Sequence, residues 1–307
     1  PPLRGMASAP VFLPGGRLLA TDGYDQESGV LVRLGALTEC RGAMDPAEAL
    51  TWLSDELLGD FPFADEAGRA HALAAVLERF VRPLIAGATP LYLIDAPTPG
   101  TGKGLLADVL SLVPTGEPAA VMSLVRDEDE VEKRITALLL RGAPAILLDN
   151  VTELRSASLA AVLTSTMWRG RRLGKSEMVD VPNAATWLAT GNNVALSDEL
   201  ARRVVPIRLD AGVERPEERR GFRHPDLVRW ARTHRPQLVD ACLSLVRAWI
   251  DAGMTSGAST LGRFEAWAEV LGGILSVAGV PGFLGGRERL RAEADRDTRE
   301  WAAVCAA

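Results

Sequence analysis

The chain has 307 residues, 47% apolar and 24% charged, the balance of an ordinary soluble globular protein. No run approaches the roughly 18 uninterrupted apolar residues of a membrane span. Arg4 precedes only a short run broken by Pro10, Pro14 and Gly15, so no signal peptide is legible either. A net charge of −6 excludes a global basic signature, although a ring or groove needs only a local basic lining.

Cys40, Cys242 and Cys305 are scattered, which fits a reducing, cytoplasmic setting without a disulfide framework. His71, His224 and His234 have no zinc-like spacing with them. Of the 34 lysines and arginines, only Lys103, Lys133 and Lys175 are lysines, so each stands out against a chain that uses Arg for generic charge. The first residue is Pro1 rather than Met, and the expectation is a piece of something longer.

Residues 1–44 carry short β-like runs, Pro10–Leu13, Arg17–Ala20 and Val30–Leu34, with the turn "DGYDQESG" between the last two. Asp45-Pro46-Ala47-Glu48 has a capping residue, Pro at the first helical position and an acid three residues after the cap, so a helix starts there. "GDFPFAD" ends it, and a second helix is predicted over 65–86. From residue 91 strands and helices alternate. "LYLIDA" (91–96) reads as a buried strand, followed by a Gly-rich loop and a helix carrying Leu105, Leu106, Val109, Leu110 and Val113. "AAVMSLV" (119–125) reads as a strand, Asp127 as the cap of the next helix, and "APAILLDN" (143–150) as another buried strand. A helix is expected over 154–168, a hairpin over 171–181 centred on Gly174-Lys175-Ser176, and strands at "ATWLATGNN" (185–193) and "VVPIRL" (204–209). Beyond 225 the pattern is helical, over 236–252, 264–279 and 287–305. The alternation predicts an α/β fold, a parallel sheet flanked by helices. Three segments are expected: a small N-terminal β/helical element (1–88), the sheet core (89–211) and a helical C-terminal lid region (212–307).

The loop "APTPGTGKG" (96–104) lies between a strand and a helix, where backbone N–H groups and one lysine bind polyphosphate. Pro99, Gly100, Thr101, Gly102, Lys103, Gly104 and Leu105 are the expected nucleotide-binding residues. A Gly/Pro turn with an incidental lysine is the competing reading. The pattern G-x-x-x-x-G-K-[ST] is incomplete, with Pro97 at the first Gly and Gly104 where a magnesium-binding hydroxyl belongs. Asp149, ending "AILLD", is the expected magnesium carboxylate on a neighbouring strand. The group that polarises the attacking water stays open among Asn150, Glu153 and Asp198. Asn192 ends its strand as the amide facing the γ-phosphate, or as a plain turn residue. Arg202-Arg203 is either a finger reaching a neighbouring subunit's ATP or a solvated surface pair.

The ordered set "APTPGTGKG", "AILLDN", "LATGNN" and "ELARRVVPIRL" resembles a P-loop AAA+ ATPase. With the hairpin between the second and third, it is similar to superfamily 3 helicases, and within these to the helicase domains of phage and mobile-element replication proteins, often fused to a primase-polymerase. "GYDQESG", "LLGDFPFAD" and "RPEERRGFRHPDL" carry the same resemblance, which covers about residues 10–290. It implies that Lys103 is the Walker A lysine, Asp149 the Walker B acid, Asn192 the sensor and Arg203 the finger, with Arg202 as the alternate. It further implies ATP and Mg2+ as cofactors, a ring (usually a hexamer), and single-stranded DNA in the pore gripped by Arg171, Arg172 and Lys175 of the hairpin. A hairpin with charges merely facing water is the alternative. The implied function is an ATP-dependent DNA helicase in replication. Gly104 and Asn150 also suit a non-motor AAA+ ATPase of the origin-binding or loader type, while a monomer with a closed pocket would indicate a small-molecule kinase.

Overall fold

The computed structural model describes residues 3–171 and 177–288. The N-terminal segment forms two small sheets. In one, β1 (Gly5–Ala7), β5 (Val30–Val32) and β4 (Gly23–Asp25) lie side by side; in the other, β2 (Val11–Phe12) pairs antiparallel with β3 (Leu18–Leu19). Asp45 caps α1 (Pro46–Thr51) by accepting from the Ala47 and Glu48 amides, and the helix runs on as a π-helical segment, Trp52–Leu57. Asp65 caps α2 (Glu66–Val81), an Ala-rich helix buried nearly all round. Such a helix belongs inside a layered core rather than on its surface.

The sheet comprises β6 (Leu91–Ala96), β7 (Ala120–Met122), β8 (Ala145–Leu154), β11 (Thr186–Leu196) and β12 (Val204–Arg208), all parallel, in the order β12-β6-β11-β8-β7. Helix α3 (Lys103–Thr115) follows β6, and α4 (Glu128–Leu140) connects β7 to β8. Pro206 lies in β12, an edge strand, where a missing N–H costs no ladder bond.

One face of the sheet is covered by α4 and by α5 (Ala157–Leu163), around Ile135, Leu148, Leu159, Trp187 and Leu200. The other face joins α2, α3, the N-terminal sheets and the C-terminal helices α7 (Leu227–Thr233), α8 (Arg235–Asp251) and α9 (Glu265–Val277) in a single core. The three expected segments therefore share hydrophobic packing. Fully buried Glu78 of α2 ties them, accepting from Tyr92 Oη (2.9 Å), Thr186 Oγ1 (2.8 Å) and Trp267 Nε1 (3.0 Å). Cys40 and Cys242 are buried free thiols, and Cys40 Sγ donates to the Pro236 carbonyl at 3.4 Å. Among the described residues no helix is long and apolar enough to cross a membrane.

Two expectations shift. The helix expected over 154–168 ends at Leu163, because the Thr164 and Ser165 hydroxyls bond back to the carbonyls of Ala160 and Ala161. The chain then enters β9 (Met167–Arg171), which pairs with β10 (Met178–Pro182) as the arms of the expected hairpin. Its centre, with Arg172 and Lys175, lies outside the described residues, as does nearly all of the helix expected over 287–305.

Candidate nucleotide site

The loop 97–102 leaves the end of β6 and enters α3 at the C-terminal edge of the parallel strands, where α/β sheets bind ligands. Gly100 (φ +77°) and Gly102 (φ +92°) take left-handed backbone that a side chain would strain. Helices α1, α2, α4, α5 and α7, and the short α6 (Asp198–Ala201), begin on an Asp or Ser side chain that accepts from first-turn amides. Helix α3 instead begins on Gly102, which has no acceptor to offer, so its first amides stay open to a ligand.

Two stretches of the sequence meet over this loop. A Cβ on Gly102 would touch the Phe61 ring at 3.5 Å, and one on Gly100 would lie 3.1 Å from the Glu217 amide nitrogen. Arg219 donates to the Asp60 carbonyl (3.0 Å) and the Arg223 amide to the Asp60 carboxylate (2.7 Å). His224 joins Glu56 at 3.0 Å, and Arg223 forms an ion pair with the same carboxylate. The phrases around "GDFPFAD" and "RPEERRGFRHPDL" are thus bonded to one another beside the loop.

Lys103 Nζ donates to Asn192 Oδ1 at 2.7 Å, with Thr98 O and Thr101 Oγ1 at the outer limit of 3.4 and 3.5 Å. Burial pulls its ammonium below the usual lysine range, against the opposing pull of the Asp95 charge. The contact follows from register, since Asn192 of β11 pairs with Ala96, the last residue of β6. The two strand-end asparagines divide their work. Asn192 faces the lysine, while Asn193 takes a left-handed turn (φ +47°) and accepts from Arg208 at 2.9 Å.

Asp149 is not on the strand beside β6, where the sequence expectation put it. β11 lies between, so the carboxylate stands two strands from the phosphate loop. It is exposed and accepts from Thr190 Oγ1 at 2.7 Å; the same hydroxyl accepts from the Asn150 amide at 2.9 Å. Asn150, also left-handed (φ +52°), turns the chain here, and β8 runs on to Leu154. At Gly191 a Cβ would lie 2.3 Å from the Val151 carbonyl oxygen, so only glycine lets the two strand ends pass this closely. Glu153 pairs with Arg155 at 3.6 Å beside a cleft of about 400 Å³ that also holds Asp149, Asn150 and Arg126.

Several residues at the site were not singled out from sequence. Asp95, at the end of β6, forms an ion pair with Arg208 of β12 and accepts from the Val194 amide at 3.3 Å. Burial raises its carboxyl above the usual aspartate range despite Arg208. Asp108 of α3 is half-buried; burial raises its carboxyl, the Asp149 charge adds to the rise and Arg232 opposes it. A polar residue ending each apolar strand was the only sequence signal for Asp95 and Arg208, and Asp108 had none.

The remaining predicted residues lie elsewhere. The Arg203 carbonyl accepts from the Leu91 amide, so Arg202 and Arg203 stand at the start of β6, about 17 Å of strand from the phosphate loop. Arg203 is held by Glu199 at 2.8 Å, whereas Arg202 is exposed. In the hairpin, Arg169 pairs with Asp180 at 2.8 Å and Arg171 is exposed. The hairpin is anchored to α4 by Trp168 Nε1 on Thr136 Oγ1 (2.9 Å) and at its base by Asn183 Nδ2 on Val162 O (2.7 Å).

Magnesium bound with substrate phosphates needs only one or two carboxylates and keeps several waters. The open amides, Lys103 and exposed Asp149 fit that requirement, and the space beside exposed Gly104 is open, since a Cβ there meets nothing within 4 Å.

No protein-family model and no curated protein matches the sequence. Among solved structures, the apo A form of the NrS-1 C-terminal region is similar, with a TM-score of 0.50 and 13% identity over 87% of this chain and 59% of that one. A structure of NrS-1 residues 305–718 gives a TM-score of 0.45 at 15% identity over 76% of this chain and 53% of that one. A ligand-bound JCV helicase gives 0.33 at 15% identity over 86% and 70%. The chain thus spans under two thirds of the NrS-1 chains it resembles. The likeness to the first of them is one of fold: a parallel α/β sheet flanked by helices.

Proposed function

We propose that this chain is an ATP-dependent DNA helicase, a ring-forming motor that serves replication of a phage or mobile element. The observation that carries the reading is the 2.7 Å bond from Lys103 to Asn192, which joins the phosphate loop to the end of the adjacent strand. In this reading the amides of 100–105 and the Lys103 ammonium hold the triphosphate, and Asn192, released from the lysine, turns to the γ-phosphate. Asp149 holds magnesium, which when bound would neutralise charge across the phosphates. Thr190 fixes that carboxylate by its hydrogen bond.

Arg202 and Arg203 stand too far from their own phosphate loop to act on it, which suits a finger working on a neighbouring subunit in a ring. Arg202, exposed, is the better placed of the two, because Glu199 engages Arg203. In this reading Arg171, Arg172 and Lys175 grip a single strand in the pore, and the hairpin arms, fixed at their base and through α4, give that grip a rigid support. A primase-polymerase, fused or separate, is the expected partner.

Gly104 and Asn150 favour a second reading, a non-motor AAA+ ATPase that switches on nucleotide occupancy. ATPase activity with and without single-stranded DNA, with a mass measurement of the particle, tests the first. DNA-stimulated turnover in an assembled ring, with strand displacement on forked DNA, is the expected result. Nucleotide binding without displacement by an assembled ring identifies the second reading, and a monomer indifferent to DNA refutes both.

A further inference from the structure

The chain lacks a side chain at the position where a phosphate loop normally presents a hydroxyl to magnesium. Gly104 leaves that space open, since a Cβ there meets nothing within 4 Å. One helical turn further along α3, on the same face, stands Asp108. Side chains on a helix lean toward its N-terminus, so Asp108 leans toward Gly104 and the phosphate loop. The axial separation is about 6 Å. A carboxylate extended by one metal-bound water, itself about 2.1 Å from magnesium, spans such a gap.

Asp108 has no structural duty that explains it. It is half-buried in a helix whose neighbouring positions Leu106, Ala107, Val109 and Leu110 are buried apolar core. Among the described residues it accepts no hydrogen bond and forms no ion pair within 4 Å. The charges that face it are Asp149 from β8 and Arg232 from α7. Two carboxylates that repel across a gap are an unfavourable arrangement until a divalent cation enters.

We infer that Asp108 takes over the role of the missing hydroxyl, holding magnesium on the Asp149 side of the nucleotide through a metal-bound water. The inference rests on the nucleotide site proposed above. It explains how a phosphate loop can carry glycine at this position and still hold its metal. Outer-shell partners of this kind are worth about 10–100-fold in metal affinity.

The test uses the full chain with AMP-PNP, and Mn2+ as a paramagnetic substitute for magnesium. Wild type, Asp108→Asn, Gly104→Ser, the double variant and Lys103→Ala are compared. Electron paramagnetic resonance gives the Mn2+ affinity of the nucleotide complex, and calorimetry in EDTA gives metal-free nucleotide affinity. Asp108→Asn is expected to weaken Mn2+ binding at least tenfold with metal-free AMP-PNP affinity unchanged, and adding Gly104→Ser to restore most of the loss. Asp108→Ser reports the same loss should the amide disturb packing. Unchanged Mn2+ affinity in Asp108→Asn, or no recovery in the double variant, overturns the inference. If Lys103→Ala binds AMP-PNP as wild type does, the site itself is misplaced; if it alone abolishes binding, only the role of Asp108 fails.

Discussion

His71 makes the stability of this fold depend on pH in a calculable way. It is buried in α2, with Nδ1 2.6 Å from the Pro206 carbonyl and Nε2 accepting from the Leu284 amide at 2.9 Å. That pattern fixes the neutral tautomer with the proton on Nδ1, and a second proton would set Nε2–H against an amide N–H. Burial lowers the ring from 6.5 to about 4, while Asp65 and Arg287 act in opposite senses. The unfolded chain takes up a proton below 6.5 and the folded one only near 4, so stability is full above that window and falls as pH drops through it. Between pH 7 and 5 the loss from this group is about 2 kcal/mol, at ~1.4 kcal/mol per unit. Urea unfolding of wild type and His71→Gln at both pH values isolates it, because the carboxylates contribute equally to both proteins. The variant is expected to lose about 2 kcal/mol less than wild type over this range. Parallel losses in the two proteins would refute the reasoning.

Glu78→Ala leaves the buried donors of Tyr92, Thr186 and Trp267 without their acceptor. At ~1–3 kcal/mol each, unfolding in urea should show at least ~3 kcal/mol lost. Glu78→Gln, which keeps an acceptor in place, should recover part of that loss. In the hairpin, Arg171→Ala should lower the slope of log K against log salt for a single-stranded oligonucleotide by about 0.7, the value of one phosphate contact. Disrupting the exposed Arg169–Asp180 pair by Asp180→Asn should leave the midpoint of the same urea unfolding essentially unchanged, because water screens such a pair.

Local chemistry made much of the fold legible. The Asp45 and Asp127 caps, the apolar run of β6 and the glycines before α3 each act through their own neighbours, and each stands where the sequence puts it. The residues after Leu163 were misread because Met167 and Trp168 continue a helical apolar pattern, whereas Trp168 is claimed by Thr136 of a distant helix. Strand order is a tertiary outcome, and nothing near Asp149 encodes that β11 enters between it and the phosphate loop. The same holds for Asp95 and Arg208, which meet only through the pairing of β6 with β12. Asn192 is the converse case, a strand-end amide expected beside the phosphate loop and found bonded to its lysine.

A crystal structure of the chain with AMP-PNP and magnesium bears most directly on the whole account. The account predicts the triphosphate along the amides of 100–105, with Lys103 Nζ moved from Asn192 to a phosphate oxygen. A triphosphate lodged elsewhere, in the cleft of Arg126 and Arg155 or in the 630 Å³ cavity beside Arg79 and Arg82, would contradict it.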